Sequence, residues 1–472
     1  MRIMMKRKLL TLIVILLLIP LGLGGSFLYG FLCNERKIPP YSLARRAYNW
    51  SRRQTSLRHV YSFLLKNVLL QNRVKGPWHL VKDLPQAQGL TADQREAMAE
   101  LLAIGYLSGY EPATELENVT TYVPELAYQG LNLYTSGHAQ EAVLMDMKGQ
   151  VLHKWAYDFQ EAWDHLPRDG LHYQEDWLWE FWRRVHLYDN GDLLAIYTGL
   201  GLIKLDKDSN LIWAVSCGCH HDLFVDENGF IYILSNEAKI LPRFHKYKPV
   251  LEDFITILDP DGKVVRNVSL LEAFERSSYA SFLDKMPKFG DLFHTNTIEV
   301  MDGSLADRSP IFKKGNILIS LPTTNVIAIV DMEQEKVVWA LSGQWIGQHQ
   351  PTLLDNGNIL LLDNHGHYGM SKVIEMDPFT QEIVWAYEGT PENGFYTAAI
   401  GSNQRLPNGN TLITESCRGR AFEVTPEKQI VWKFYNPSRA GEKNELIATL
   451  FEVVRLDPDF PTDWLSASAD GS

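Results

Sequence analysis

A chain of 472 residues, 45% hydrophobic and 22% charged, has the material for one large buried core and does not have the composition of a disordered chain. Its net charge of −12 argues against broad contact with nucleic acid, while an anionic ligand requires a pocket whose local donors outweigh the overall field. Four cysteines, Cys33, Cys217, Cys219 and Cys417, exclude a disulfide-dense scaffold and leave room for one bridge among the last three.

Leu9 to Leu32 carry no charge and follow Lys6-Arg7-Lys8, which predicts a single-pass signal anchor with residues 1–8 in the cytoplasm and everything after residue 32 outside it. No small-residue cleavage site of the Ala-x-Ala kind follows the apolar run. Residues 33–129 are expected to be mostly helical and close to the membrane. Tyr41 to Val74 is rich in arginine, leucine and aromatics, and Thr91 to Leu107 puts Ala97, Leu101, Leu102 and Ile104 on one apolar stripe.

From residue 130 to residue 460 the pattern changes to short β segments that repeat with a period of roughly 40 to 50 residues, the range of propeller blades. One unit runs from Arg184-Val185-His186 through Asn190-Gly191 to Trp213, and the next opens at His220-His221-Asp222 and turns on Asn228-Gly229. A third opens with Phe293-His294-Thr295-Asn296 and closes on Trp339; a fourth opens at Gln348-His349, turns on Asn356-Gly357 and closes on Trp385; a fifth runs from Ser402-Asn403 through Asn408-Gly409 to Trp432. Leu131 to Asp158 lacks an opening strand, and Thr449 to Leu456 is an opening strand without a blade. Joined, they predict an all-β, six-bladed propeller closed by its C-terminal strand, with residues 461–472 as a disordered tail.

The first strand of each unit is expected to be innermost, and His186, His221, His294 and His349 stand at the starts of such strands. A histidine at one strand end is ordinarily a hydrogen-bonded structural residue, whereas four in one repeat phase point to a shared channel mouth. Asp222, Asn296, Asn364 and Asn403 are placed to orient these rings or to donate to a ligand, with turn chemistry as the alternative. Trp213, Trp339, Trp385 and Trp432 fall at the outer end of each unit, where they pack blade against blade. Cys217-Gly218-Cys219-His220-His221 does not have the usual zinc spacing, and no metal is assigned.

Phe293-His294-Thr295-Asn296, Gln348-His349 with the downstream Leu362-Asp363-Asn364, and Ser402-Asn403 followed by Leu406-Pro407-Asn408-Gly409-Asn410 resemble the arylsulfotransferase family of bacterial periplasmic enzymes. The resemblance implies transfer of a sulfuryl group from an aryl sulfate ester to a phenol, without the nucleotide donor PAPS and through a sulfohistidine. It puts the nucleophile at His349 and further catalytic histidines at His294 and His221, with His220, Asn296, Asn364, Asn403 and Arg418 as substrate-binding candidates. It implies no cofactor, small-molecule donor and acceptor as partners, and a periplasmic propeller held at the inner membrane. One departure stands out: the family's arginine after the second strand of the His294 blade is missing from Ile319 to Thr324. Either another residue replaces it, with Arg418 and Arg420 as candidates, or catalysis is weak or absent. A noncatalytic binding propeller is the rival reading. A quinone-dependent dehydrogenase is disfavoured for want of calcium-binding carboxylates.

Overall fold

Tight turns set the architecture. In the computed structural model, which describes residues 108–163, 181–366, 370–389, 394–441 and 443–466, Asp226 Oδ1 accepts the backbone N–H groups of Asn228 and Phe230, both at 2.9 Å. Gly229 then takes a φ of +80°, which costs a glycine little. Asp146, Asp206 and Asp259 cap their turns in the same way.

Between the turns, the strands of the described residues pair antiparallel into six sheets that each contain a run of four neighbouring strands, beside a smaller three-stranded sheet. The second sheet holds Val185–Leu187, Leu193–Tyr197, Gly201–Leu205 and Leu211–Ser216. The third holds Cys219–Val225, Ile231–Lys239, Val250–Leu258 and Val264–Ser269, with Gly290–Asp291 added in parallel beside Val250–Leu258. The fourth holds Thr297–Val300, Ile317–Leu321, Val326–Asp331 and Lys336–Ser342; the fifth, His349–Leu353, Ile359–Asp363, Lys372–Met376 and Ile383–Glu388. The sixth holds Ser402–Arg405, Thr411–Glu415, Arg420–Val424 and Ile430–Tyr435. The first sheet takes Asn132–Ser136, Glu141–Met145 and Val151–Ala156 from the start of the described chain and Leu450–Arg455 from its end. The fold is all-β and propeller-like.

Buried apolar side chains join each sheet to the next. Leu133 and Leu144 of the first sheet share a core with Leu193 and Ile203 of the second, and Leu194 and Ile196 of the second pack with Ile231 and Ile233 of the third. The same alternation continues through Ile255 with Ile319, Ile329 with Ile359, and Leu360 with Ile413, and it returns through Leu412 and Val431 of the sixth sheet to Tyr134 and Val143 of the first. Outer-strand tryptophans clasp turns of the next sheet: Trp155 Nε1 donates to Gly191 O at 3.0 Å, Trp385 Nε1 to Pro426 O at 2.9 Å and Trp432 Nε1 to Met147 O at 2.9 Å. These indoles are packing elements, as expected from their phase.

Several expectations need correction. The helical segment anticipated for 33–129 ends in strands: Gly109–Pro112 pairs with Leu446–Ala448, and Asn118–Tyr122 adds a fifth strand outside Ile430–Tyr435. Val119, Thr120, Thr121 and Tyr122 are β-branched or aromatic and suit a sheet edge, a local signal that the helical reading of the whole segment passes over. The tail expected at 461–472 is ordered over its first part, where the short helix Asp463–Ser466 carries Trp464 onto Trp155. No disulfide joins Cys217, Cys219 or Cys417; Cys417 Sγ donates to Ala399 O at 3.4 Å in the sixth sheet, away from the other two in the third. The anchor at 9–32 lies outside the described residues, among which no helix is long and apolar enough to cross a membrane.

The strand drawn from the C-terminal end is secured by charge as well as by its ladder. Arg455 Nε donates to Asn132 Oδ1 at 2.7 Å and Nη1 to Glu423 Oε2 at 3.0 Å, and both charged side chains are fully buried. Removing one member of such a pair leaves the other uncompensated, so Arg455→Ala is expected to lower unfolding free energy by about 3–5 kcal/mol in urea titrations. Arg455→Met combined with Glu423→Met is expected to lose less than the single change. Equal losses would show that the pairing of charges is not what secures the strand.

Candidate active site

The opening strands meet at the inner edge of the sheets, where their ladders are broken by bulges. In the third sheet the register slips between His220 and Leu223, and His221 takes a φ of +56°; in the fifth it slips between His349 and Thr352, and Gln350 takes +47°. His294 has a φ of +54°. Bulges re-aim side chains, and non-glycine residues held in the left-handed region are a mark of sites that the surrounding fold over-determines.

His349 is the best-defined of the rings. Asn364 Nδ2 donates to Thr397 O at 3.1 Å and to Ile400 O at 2.7 Å, so its Oδ1 is the atom turned to His349 Nδ1, 2.7 Å away. Gly347 O also lies 3.0 Å from that nitrogen. Two acceptors facing Nδ1 require the ring proton there and leave a lone pair on Nε2. Burial, reinforced by the charge of Arg183, pushes the pKa of His349 down to about 3, so the ring is neutral at ordinary pH.

His294 is held in the opposite state. Its Nδ1 lies 2.5 Å from Asp291 Oδ2, and its backbone N–H donates to Asp291 Oδ1 at 2.8 Å. Burial works against charge on this ring, but the charge and hydrogen bond of Asp291, aided by Asp253, outweigh it and raise its pKa above the ordinary value. His221 faces it edge-on with Nε2 to Nε2 at 3.2 Å, and burial, the charge of His294 and the proximity of His220 hold the pKa of His221 well below normal. His294 is therefore the ring of this set that best accommodates a second proton, and its Nε2 is placed to share that proton with His221.

His186 does not join them. It sits in mid-strand opposite Leu194, with its ring edge-on to Tyr188 at 4.8 Å, and burial pushes its pKa down to about 4. Counting back from the turn glycine gives the reason: His221 and His349 stand eight residues before Gly229 and Gly357, and the residue eight before Gly191 is Arg183. Arg183 is buried, and its charge lowers the pKa values of His349, His221, His220 and His294. In place of the arginine missing from Ile319 to Thr324, Arg418 and Arg420 are the expected stand-ins. Those two are tied elsewhere, Arg418 Nη1 to Gly394 O at 2.9 Å and Arg420 Nε to Glu415 Oε2 at 2.5 Å.

The remaining candidates divide by what their polar atoms contact. His220 is buried behind His221, with the two Nδ1 atoms 2.6 Å apart, rather than on a substrate-facing wall. Asn296 Nδ2 donates to Gln348 O at 3.0 Å and Asn403 Nδ2 to Gln350 O at 2.9 Å, so both brace the fifth sheet's opening strand. One position further along, Arg184 bonds Asp222 Oδ1 at 2.6 Å, Gln350 Oε1 at 2.6 Å and the Glu452 carboxylate. It thereby links the second sheet to the third, fifth and first.

The family model described as arylsulfotransferase (ASST) matches residues 184–437, more than half of the chain. No curated protein matches. Among solved structures, a protein of unknown function from Bacteroides caccae is 14% identical with a TM-score of 0.41, over 68% of this chain and 98% of that one. A streptogramin B lyase is 14% identical with a TM-score of 0.40, over 74% and 98%. The virginiamycin B lyase of Staphylococcus aureus is 11% identical with a TM-score of 0.33, over 54% and 69%.

The neutral rings carry a consequence for stability. His186, His220, His221 and His349 all have folded pKa values below the unfolded value near 6.5, so below that pH the unfolded chain binds protons the folded one refuses. Each then costs up to about 1.4 kcal/mol of stability per pH unit. His294 has the opposite sign: its contribution is complete below the unfolded value and is lost as pH rises through its raised folded pKa. Buried Asp253 and Glu299, whose carboxyls are held above their ordinary range, act with the opposite sign over the same interval, so the contribution of one ring is read by difference. Denaturant titrations are expected to show wild type losing more stability than His186→Gln between about pH 6.5 and about pH 4, and equal losses would mean that this ring is charged in the native state.

Proposed function

Because the chain belongs to the arylsulfotransferase family, which supports an aryl sulfotransferase-type function, we propose that it moves a sulfuryl group from an aryl sulfate ester to a phenol through a covalent intermediate on His349, without PAPS. The observation that carries this reading is the Asn364 bond, which commits the His349 proton to Nδ1 and leaves Nε2 as a neutral nucleophile. A carboxylate in place of Asn364 would raise the ring's basicity, whereas an amide orients it without adding charge.

In the first half-reaction the Nε2 lone pair of His349 forms an N–S bond as the bond from sulfur to the aryl oxygen breaks, and the departing phenolate takes the Nε2 proton of His294. Arg183 supplies positive charge for the sulfuryl oxygens, the part that a family arginine plays elsewhere on the fold. In the second half the acceptor phenol returns a proton to His294, its oxygen bonds sulfur, and the N–S bond breaks. The same reading makes the fold a six-bladed propeller closed by Leu450–Arg455, with the imidazoles at its channel mouth. It also makes the chain a single-pass inner-membrane protein with this unit in the periplasm, on the strength of Lys6-Arg7-Lys8 and Leu9 to Leu32.

Incubated with a chromogenic aryl sulfate and a phenol, the full chain in detergent is expected to turn over and to carry one sulfuryl group by intact mass, and His349→Ala is expected to lose both. The His294→Gln variant should keep the site's shape and lose about 10²–10⁴-fold in kcat. Since His349 is neutral above about 3 and His294 must be protonated, the first half-reaction should hold steady through mild acid and decline as pH rises through the elevated pKa of His294. Transfer that survives His349→Ala would remove the nucleophile, and tight binding of the ester without turnover would favour a binding propeller.

A further inference from the structure

Behind the mouth the hydrogen bonds continue inward. His220 Nδ1 and His221 Nδ1 face each other at 2.6 Å, a distance at which one nitrogen must hold the proton and the other must accept it. The tautomers of the two rings are therefore locked in opposition. If His221 holds its proton on Nδ1, its Nε2 is a lone pair turned to His294; if His220 holds the shared proton, His221 must carry its own on Nε2. Beyond His220, its Nε2 lies 3.8 Å from Asp253 Oδ1, an oxygen with no hydrogen-bond partner on a carboxyl that is 1% exposed. The other oxygen of Asp253 accepts the Thr295 backbone N–H at 2.8 Å.

We propose that His294, His221, His220 and Asp253 form a proton wire, with His220 and Asp253 as positioning residues that share with the mouth the proton His294 uses. This rests on the sulfate-ester reading of the site. When the proton moves inward, His294 Nε2–H passes to His221 Nε2, the His221 Nδ1–H to His220 Nδ1, and the His220 Nε2–H to Asp253 Oδ1. Each nitrogen that loses a proton is on a ring that gains one, except at His294, which becomes neutral, and Asp253 becomes a neutral acid. The last link is the long one, and the carboxyl must swing toward the ring to close it.

The charges around the wire favour two resting places for that proton. Asp291 holds it at the mouth, whereas Arg183, whose charge acts on all three rings, favours moving it inward. The Ser235 carbonyl favours a proton on His220, and burial together with the charge of Asp291 pushes the pKa of Asp253 up to about 7, so that this carboxyl can hold a proton at neutral pH. An arriving sulfate-ester anion adds negative charge at the mouth and draws the proton outward onto His294. The empty site rests with the proton inside, and substrate loads the acid.

Infrared difference spectra of the full chain near neutral pH, with and without benzenesulfonate, test this. That probe carries the anionic head of an aryl sulfate and no ester bond to break. The wild type is expected to lose a protonated-carboxyl band on binding, with Asp253→Asn assigning the band by its disappearance. In His220→Gln, which keeps the charge of Asp253 but interrupts the wire, the band is expected to remain and no longer respond. Should that variant fail to fold, His294→Gln, which removes the outer end, is expected to leave the band equally unresponsive. A wild-type band indifferent to the probe, or the same response in His220→Gln, overturns the wire. Turnover with an indifferent band would leave the transfer reading standing and remove only this inference. In an active protein His220→Gln is also expected to lower kcat about tenfold with KM changed less than about twofold.

Discussion

One buried guanidinium holds the centre of this molecule. Arg184 bonds residues of the third, fifth and first sheets from its place in the second, so the inner ends of four sheets converge on a single side chain. Its environment contains the carboxylates of Asp222 and Glu452, and a cation so far from solvent is tolerable only with such partners. Asp222 in turn accepts the backbone N–H of Ile298 from the fourth sheet, so the network also sets the height of the strand that follows His294.

Among the imidazoles, the same side-chain type is used in unlike states because the partners differ. His349 faces an amide and a carbonyl, His294 faces a carboxylate, and His221 and His220 face other imidazoles. Desolvation penalises charge on every one of these rings, and only the ring with Asp291 at hydrogen-bond distance overcomes it. A ring held neutral and a ring that favours charge thus coexist in one cleft, a division that pH alone cannot impose on identical groups in water.

Much of the architecture could be read along the chain. Turn glycines such as Gly191, Gly229, Gly357 and Gly409 mark hairpins because few other residues accept a positive φ, and outer-strand tryptophans such as Trp385 and Trp432 mark where one sheet covers the next. The orphan strand at Thr449 to Leu456 and the incomplete unit at Leu131 to Asp158 are partners because an unpaired edge in either would leave backbone groups unsatisfied. The register was less legible. Taking the histidine nearest a strand start made His186 look equivalent to His221, although the count from the turn puts Arg183 there.

The sequence by itself determined the all-β class, the repeat, the turn positions and the residues His221, His294 and His349, since these follow from periodicity and backbone geometry that neighbouring residues impose on one another. Only the tertiary structure decided that the His349 proton sits on Nδ1, that Arg183 lies close enough for its charge to act on the imidazoles, that His220 Nδ1 meets His221 Nδ1, and that Gly109–Pro112 and Asn118–Tyr122 are strands. Those outcomes depend on groups brought together from distant parts of the chain, such as Asn364 with Ile400 or Arg184 with Glu452, and on how much water each contact excludes. Neither distance nor desolvation is written in local order.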